Sequence, residues 1–425
     1  MTDVHTAVRD AAAAASSAAV ALEAATDAQI NDVLQGIGRN LVEQAEALLA
    51  ANRVDVERAA ADGMSQGLLD RLVLDEGRLK GMAHQLEVLA ATAADPRVRV
   101  VRDLGDGTVV LEKRRAVGVL GANFEARPNV TVDMASQSLR SRNACVLRTG
   151  SAALRTAEAL VDLAVGPALD AGGLSKDAVQ LLRTPEREAA EALVQHPDGI
   201  PLVILRGSGD STRSLARTAA LAGVRALAHA DGGGVLYVHP SADAATVRDL
   251  VDAGTDRLGV CNRLNLLLVD EECWADVVPR VREQLAAHQP PIALSEPPHD
   301  HALGHEWALD DERNATVTVA PVAGPVAAAV AANRETSGLA ATIAAEDEAA
   351  AAAFVGAYAG TGAFVNVTTR LLDGYKLLAV PETGINVDHG PGPRGPVTFR
   401  DLYIRQYLVV PRDRAERIVG EPITG

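Results

Sequence analysis

Three cysteines in 425 residues, Cys145, Cys261 and Cys273, cannot build a disulfide framework and point to a reducing compartment. Lysine is as scarce: only Lys80, Lys113, Lys176 and Lys376 occur, so nearly every base is arginine. With so much alanine, this reads as coding bias rather than function. A basic excess is missing altogether. Lys+Arg is 40 against 56 Asp+Glu, a formal net charge of −16, which argues against nucleic acid or an anionic membrane surface as the main partner. Residues 11–22 follow Arg9 as a signal peptide would, but they are mostly alanine and lack a Leu/Ile/Phe-rich centre. Residues 349–369 are uncharged, yet Gly356, Gly360, Gly362 and Asn366 interrupt them. A buried helix, a glycine turn and a buried strand explain this stretch better than a membrane span. The chain is expected to be soluble and cytoplasmic. It has no fixed-period repeat, no low-complexity linker, no G-x-S-x-G elbow and no complete dinucleotide fingerprint.

What is present is ordinary globular composition, 48% hydrophobic and 23% charged, with length for two to three domains and a sizeable core. Residues 1–95 are Ala-rich and helical in period; Thr26 with Gln29 fits a capping box, and Asp95-Pro96 ends the region. The runs VRVVRDL and TVVLEKR flank Gly105-Asp106-Gly107 and predict a β-hairpin, either a subunit-bridging device or a surface ribbon. From about 115 to 270 the apolar runs AVGVLGA, NACVLRT, AVQLLR, IPLVILR, RALAHA, GVLYVH and LNLLLVD alternate with helical stretches. The alternation continues through 316–380, and LYIRQYLVV is a last strand. This pattern predicts an α/β fold with mainly parallel sheets.

Two strand-to-helix turns suit a phosphate: Arg148-Thr149-Gly150-Ser151, and Arg206-Gly207-Ser208-Gly209-Asp210-Ser211. Small residues entering a helix offer free N–H groups and the positive end of its dipole, and Arg148 adds a charge for a ribose phosphate. Either turn alone reads as ordinary βα geometry; two in one α/β unit bring a dinucleotide level with that reading. Cys145 lies in an apolar strand and Cys273 in a helical stretch, both as small core residues. Cys261, in Leu258-Gly259-Val260-Cys261-Asn262, sits on a glycine-containing turn where a thiol can be exposed and reactive. His301 and His305, four apart, have zinc-like spacing, but Pro290, Pro291, Pro297 and Pro298 put them in a solvated loop and no second cluster supports a metal.

Several blocks together resemble γ-glutamyl phosphate reductase, also called glutamate-5-semialdehyde dehydrogenase, of the aldehyde dehydrogenase superfamily. They are Phe124-Glu125-Ala126-Arg127-Pro128-Asn129-Val130-Thr131-Val132-Asp133, the Arg148–Ser151 turn, His229-Ala230-Asp231-Gly232, Gly259-Val260-Cys261-Asn262, Asn366-Val367-Thr368-Thr369-Arg370, Glu382-Thr383-Gly384-Ile385 and Arg394-Gly395-Pro396-Val397. Their order and spacing match over essentially the whole chain.

The resemblance implies an aldehyde dehydrogenase-like architecture in three parts. These are a Rossmann-like cofactor domain (1–100, 115–230 and 366–400), an α/β catalytic domain with Cys261 (231–365), and a small β extension for oligomers (101–114 and 401–425). It implies NADPH-dependent reduction of an acyl phosphate to an aldehyde without metal, as in proline biosynthesis, by a homodimer or homotetramer fed by a glutamate 5-kinase-like enzyme. Cys261 matches the nucleophile, with its own N–H and the Asn262 side chain as oxyanion donors. Arg127 and Asn129, with Asn366, Thr369 and Arg370, fall in blocks expected at the substrate. Arg148, Gly150, Ser151, Gly207 and Ser208 fall in the cofactor turns, and Glu306 where the superfamily holds the nicotinamide ribose. The sequence also departs from the family. Gly233, Gly234 and Val235 stand where a Cys-His pair is usual, Leu339-Ala340 where His-Thr is usual, and Leu371 ends an N-A-S-T-R-F block as Asn366-Val367-Thr368-Thr369-Arg370-Leu371. These changes fit a bulkier or modified acyl phosphate, or a thioester, admitted where glycine frees volume. A non-catalytic scaffold that kept the fold is the remaining alternative.

Overall fold

The computed structural model describes residues 3–424 except 65, 126, 208, 230–231, 311, 389 and 391, and the side chains of Gln66 and Gly67. The predicted α/β alternation is present as two parallel sheets and an antiparallel extension. The first sheet has the spatial order Val179–Leu181, Ala144–Thr149, Val119–Phe124, Leu202–Arg206, Arg225–His229, all parallel. The chain winds outward from the central strand Val119–Phe124, then returns to fill the other side. The C-terminal ends of Val119–Phe124 and Leu202–Arg206 therefore open on a crevice, the place where α/β sheets take ligands. Every residue of Val119–Phe124 and of Ala144–Thr149 is buried, as unbroken apolar strands covered on both faces should be.

The second sheet runs Ala293–Ser295, Thr316–Val322, Leu264–Asp270, Gly234–Val238, Ala340–Ala344, Gly362–Val365, again all parallel. Gly362–Val365 is its edge, with Ala363 and Val365 exposed, so the strand expected to be buried inside 349–369 is half open to solvent. No helix among the described residues is long and apolar enough to cross a membrane. The hairpin forms at Gly105-Asp106-Gly107; Thr108–Ala116 pairs with Val98–Asp103 on one side and with Tyr403–Pro411 on the other, in one antiparallel sheet.

Helices fill the faces. Val4–Ala24 buries Val8, Ala12, Ala15, Ala18 and Leu22, a single stripe packed into the core of the first sheet. Thr26 caps the next helix by accepting from the Gln29 N–H at 3.1 Å. The Gln29 side chain, however, donates to the Gly172 carbonyl at 2.8 Å, so only half of the expected capping box forms. The stretch 366–400 divides: Asn262 bonds to the Arg370 and Leu372 carbonyls beside the second sheet, while Val397 and Phe399 join the core of the first.

Candidate active site

The two sheets meet around Cys261. Its turn precedes Leu264–Asp270 and is fixed by main-chain bonds, Gly233 N–H to the Cys261 carbonyl (2.6 Å) and Gly234 N–H to that of Arg263 (2.7 Å). The N–H of Cys261 bonds to no described residue. The half-buried thiol packs beside Leu339, Ala340, Leu372 and Ile385. Its pKa is pushed up to about 11, first by burial; Glu382 and Glu306 add to the rise, and Arg127 and Arg206 oppose it. Four charged side chains from distant parts of the sequence thus converge on one sulfur.

Arg127 comes from the crevice of the first sheet. Pro128 opens the helix Pro128–Arg140 and holds the preceding residue extended, at φ −140°, ψ 88°. One turn into that helix, Asn129 donates to Asp133 at 3.1 Å. Burial raises the Asp133 carboxyl to about 6 against the pull of Arg206, Asn129 and Arg127. His229, level with Arg206 in the sheet, accepts from the Ile385 N–H through Nδ1 (3.1 Å), which puts its proton on Nε2. Burial, then Arg206 and Arg127, lower its pKa to about 3 and keep it neutral. Burial raises Glu382 to about 7, although it accepts from the Gly374 N–H.

Glu306 reaches the thiol from the other side. Asn265 clamps the residues flanking it, donating to the His305 carbonyl (2.7 Å) and accepting from the Trp307 N–H (3.0 Å). A cleft of about 840 Å³ opens there, lined by Gly209, Asp210 and Arg213 of the second βα turn, and by Gly232, Glu306 and Ser337. Its size and its helix-start wall suit the nicotinamide end of a dinucleotide. Gly207 packs against the Glu125 carboxylate; Ser208 lies outside the described residues.

Several expected ligand contacts are structural instead. Asn262 gives both amide hydrogens to the carbonyls of Arg370 (3.3 Å) and Leu372 (3.0 Å), and its oxygen accepts from Arg370. Its side chain therefore holds the turn and is not a free oxyanion donor. Arg370 is committed to Asn262 and to Asp256 (2.7 Å), and Thr369 to the Asn262 carbonyl (2.9 Å). Asn366, at φ 53°, makes paired bonds with the main chain of Ala345. Arg148 is only 6% exposed and donates to Asn123 and to the carbonyls of Pro185 and Glu186, so it ties strand ends to a loop rather than meeting a ribose phosphate. Gly150 keeps open space around it, and Ser151 is exposed at the start of the following helical turn.

The glycines at 232–234 do not enlarge a pocket. A Cβ on Gly232 would stand 2.5 Å from Glu306 Oε1 and 2.6 Å from the Cys261 carbonyl; on Gly234 it would meet Thr369 and the Arg263 carbonyl. Their missing side chains let the catalytic turn come close. Nor is the histidine loop simply solvated: the His301 side chain is 8% exposed, and His301 and His305 set their rings edge-on to the buried Trp307.

Residues 2–293 match the sequence profile of the aldehyde dehydrogenase family. γ-Glutamyl phosphate reductase of Parasynechococcus marenigrum is 34% identical over 92% of this chain and 89% of its own. That of a Caulobacter species is 34% identical over 93% and 95%. Among solved structures, γ-glutamyl phosphate reductase of Thermotoga maritima superposes with a TM-score of 0.86 at 27% identity, covering 95% of this chain and 98% of that one. An acetylating aldehyde dehydrogenase from Geobacillus thermoglucosidasius shares the fold, at a TM-score of 0.71 and 16% identity over 96% and 98%. With the thiol, the crevice and the cleft in these places, the chain belongs to the aldehyde dehydrogenase family, among its γ-glutamyl phosphate reductases.

Proposed function

We propose that the chain reduces γ-glutamyl 5-phosphate to glutamate-5-semialdehyde with NADPH, releasing phosphate through a thioester on Cys261. The observation that carries this reading is the half-buried thiol that feels the charges of Arg127 and Arg206 and adjoins, through Gly232, the 840 Å³ cleft that Glu306 lines. As its thiolate, the Cys261 sulfur attacks the acyl carbonyl, the bond from the acyl carbon to the bridging phosphate oxygen breaks, and its electron pair leaves on phosphate. The developing oxyanion meets the Cys261 N–H, and Arg127 offsets charge on the departing phosphate. When bound, a reduced nicotinamide supplies the hydride that takes the thioester to the aldehyde. Glu306 and the Gly207–Gly209 turn are the residues to hold it. Collapse of the tetrahedral adduct then returns the Cys261 thiolate.

The cofactor domain corresponds to the first sheet with its helices, the catalytic domain to the second, and the antiparallel extension to a homodimer or homotetramer contact, since Val101, Ile404, Tyr407 and Val409 are exposed there. A cytoplasmic enzyme receiving a labile acyl phosphate from a glutamate 5-kinase completes the reading. The test couples purified chain to such a kinase with glutamate and ATP. Kinase-dependent oxidation of NADPH, faster than that of NADH and abolished by Cys261→Ser, is expected. No oxidation of either cofactor refutes the reading.

A further inference from the structure

Arg206 ends the strand Leu202–Arg206, level with Phe124 on one side and His229 on the other. As part of an Arg-Gly-Ser turn it reads as a cofactor residue. The structure turns it the other way. It does not line the cleft that Glu306 and Gly209 share. Its stem runs 3.6 Å from where a side chain on Gly384 would begin, beside the Glu382-Thr383-Gly384 block. Its charge acts on Asp133, His229, Glu382, Arg127 and the Cys261 thiol, all on the substrate side.

Among the described residues, neither the Arg127 nor the Arg206 side chain makes a hydrogen bond or an ion pair. Both are half-buried. Other buried or partly buried arginines are used: Arg140, Arg148, Arg263 and Arg370 are each committed to protein oxygens. Arg71 approaches too, with one guanidinium nitrogen on the Gly259 carbonyl (2.6 Å) two residues before the thiol. Of the buried acids nearby, Asp133, raised to about 6, is mostly ionised at neutral pH and Glu382, raised to about 7, only half, so the three guanidinium groups still outweigh them. Two donor forks without described protein partners, both bearing on the nucleophile with their charge, make a receptor for a tetrahedral dianion.

We propose that Arg206 and Arg127 together form the seat of the phosphoryl group, for the acyl phosphate in reduction and for inorganic phosphate in the reverse reaction. This rests on the reading of Cys261 as the nucleophile of an acyl-phosphate reductase. In the oxidative direction a phosphate oxygen held in the seat attacks the Cys261 thioester. The new C–O bond forms, the C–S bond breaks, and the electron pair returns to sulfur. Arg206 is thus the specificity residue that separates acyl phosphates from thioesters, which bring no dianion.

The test uses the full-length enzyme, semialdehyde, NADP and inorganic phosphate. A pre-steady-state burst of NADPH reports thioester formation, in which phosphate takes no part; steady turnover requires phosphate. Arg206→Met is expected to retain a burst while the KM for phosphate rises about 10- to 100-fold, with Arg206→Lys between. Inorganic phosphate should also slow iodoacetamide alkylation of Cys261 in wild type and lose that protection in Arg206→Met. A normal phosphate KM in Arg206→Met, or a rise confined to the KM of the semialdehyde, overturns the seat. A wild type that forms no NADPH in a single turnover with phosphate withheld overturns the reductase reading instead, and the alkylation assay then still judges the seat on its own.

Discussion

Alanine at Gly232 is the sharpest small perturbation this site allows. The added methyl would lie 2.5 Å from Glu306 Oε1, 2.6 Å from the Cys261 carbonyl and 2.8 Å from the Cys261 Cα. Ordinary contact begins near 3.4 Å, so these groups must retreat by 0.9, 0.8 and 0.6 Å respectively. The Glu306 side chain can yield by rotation, but the other two contacts are main chain. The Cys261 carbonyl is also held at 2.6 Å by the N–H of Gly233, the very next residue, so retreat strains that bond. Overpacking of this kind costs about 1–3 kcal/mol. Displacing a nucleophile by somewhat under 1 Å lowers turnover by roughly 10²-fold. Gly232→Ala should therefore lose about that factor in kcat/KM in the kinase-coupled NADPH assay, with a measurable fall in Tm. Gly81→Ala is the control, because nothing lies within 4 Å of a Cβ there and it sits inside the helix Glu76–Ala91, where alanine is favoured. Wild-type kcat/KM and Tm in Gly232→Ala would show that the turn is not packed as described. They would also restore the idea that glycine here makes room for a larger substrate.

Cys261→Ser should abolish turnover at near-normal Tm, whereas Cys145→Ser, at a fully buried site, should lower Tm and leave chemistry; turnover in Cys261→Ser sinks the thioester. With the Cys261 pKa near 11, its alkylation rate in free enzyme should climb about tenfold per pH unit from 7 to 9, and a plateau in that range contradicts the burial argument. Arg148→Met should cost stability and raise the KM for NADPH and NADH alike; a selective loss of NADPH would return Arg148 to the ribose phosphate. Glu382, raised from 4.5 to about 7, favours the fold when protonated, so its contribution is complete below pH 4.5 and is lost as pH rises through 7. Relative to wild type, Glu382→Gln should gain up to about 3 kcal/mol of stability between pH 4.5 and 8, measured by denaturant titration; a pH-independent difference refutes the assignment.

The fold was legible because both parallel sheets are covered on two faces. Such strands must be short, unbroken apolar runs, and NACVLRT, IPLVILR and LNLLLVD became Ala144–Thr149, Leu202–Arg206 and Leu264–Asp270. Where the expectation failed, the strand lay at an edge. Gly362–Val365 has the same composition as its buried neighbours, and only its place at the end of the sheet exposes it. Composition reports how apolar a segment is, whereas its position in the sheet is settled by strands far along the chain.

The site divides along the same line. Cys261 could be singled out because a local rule acts on it, a glycine-containing turn, whereas Arg127 and Glu306 are marked only by the resemblance to the family. Asn262, Arg148 and Arg370 are polar residues in equally suggestive places, and what they do depends on acceptors elsewhere. The carbonyls that occupy Asn262 lie 108 and 110 residues away, and those that occupy Arg148 lie 37 and 38 residues away. Arg71 reaches the catalytic turn across 188 residues. A polar side chain near a nucleophile serves a ligand only with the donors that the protein leaves unused. Asn262 and Arg370 stand beside the thiol yet are filled by each other, by the Leu372 carbonyl and by Asp256, while Arg206, read from sequence as part of a nucleotide turn, keeps its whole guanidinium free of described partners. Counting donors against acceptors in the folded chain therefore reassigns the two arginines that matter for phosphate: Arg148 goes to the scaffold and Arg206 to the substrate.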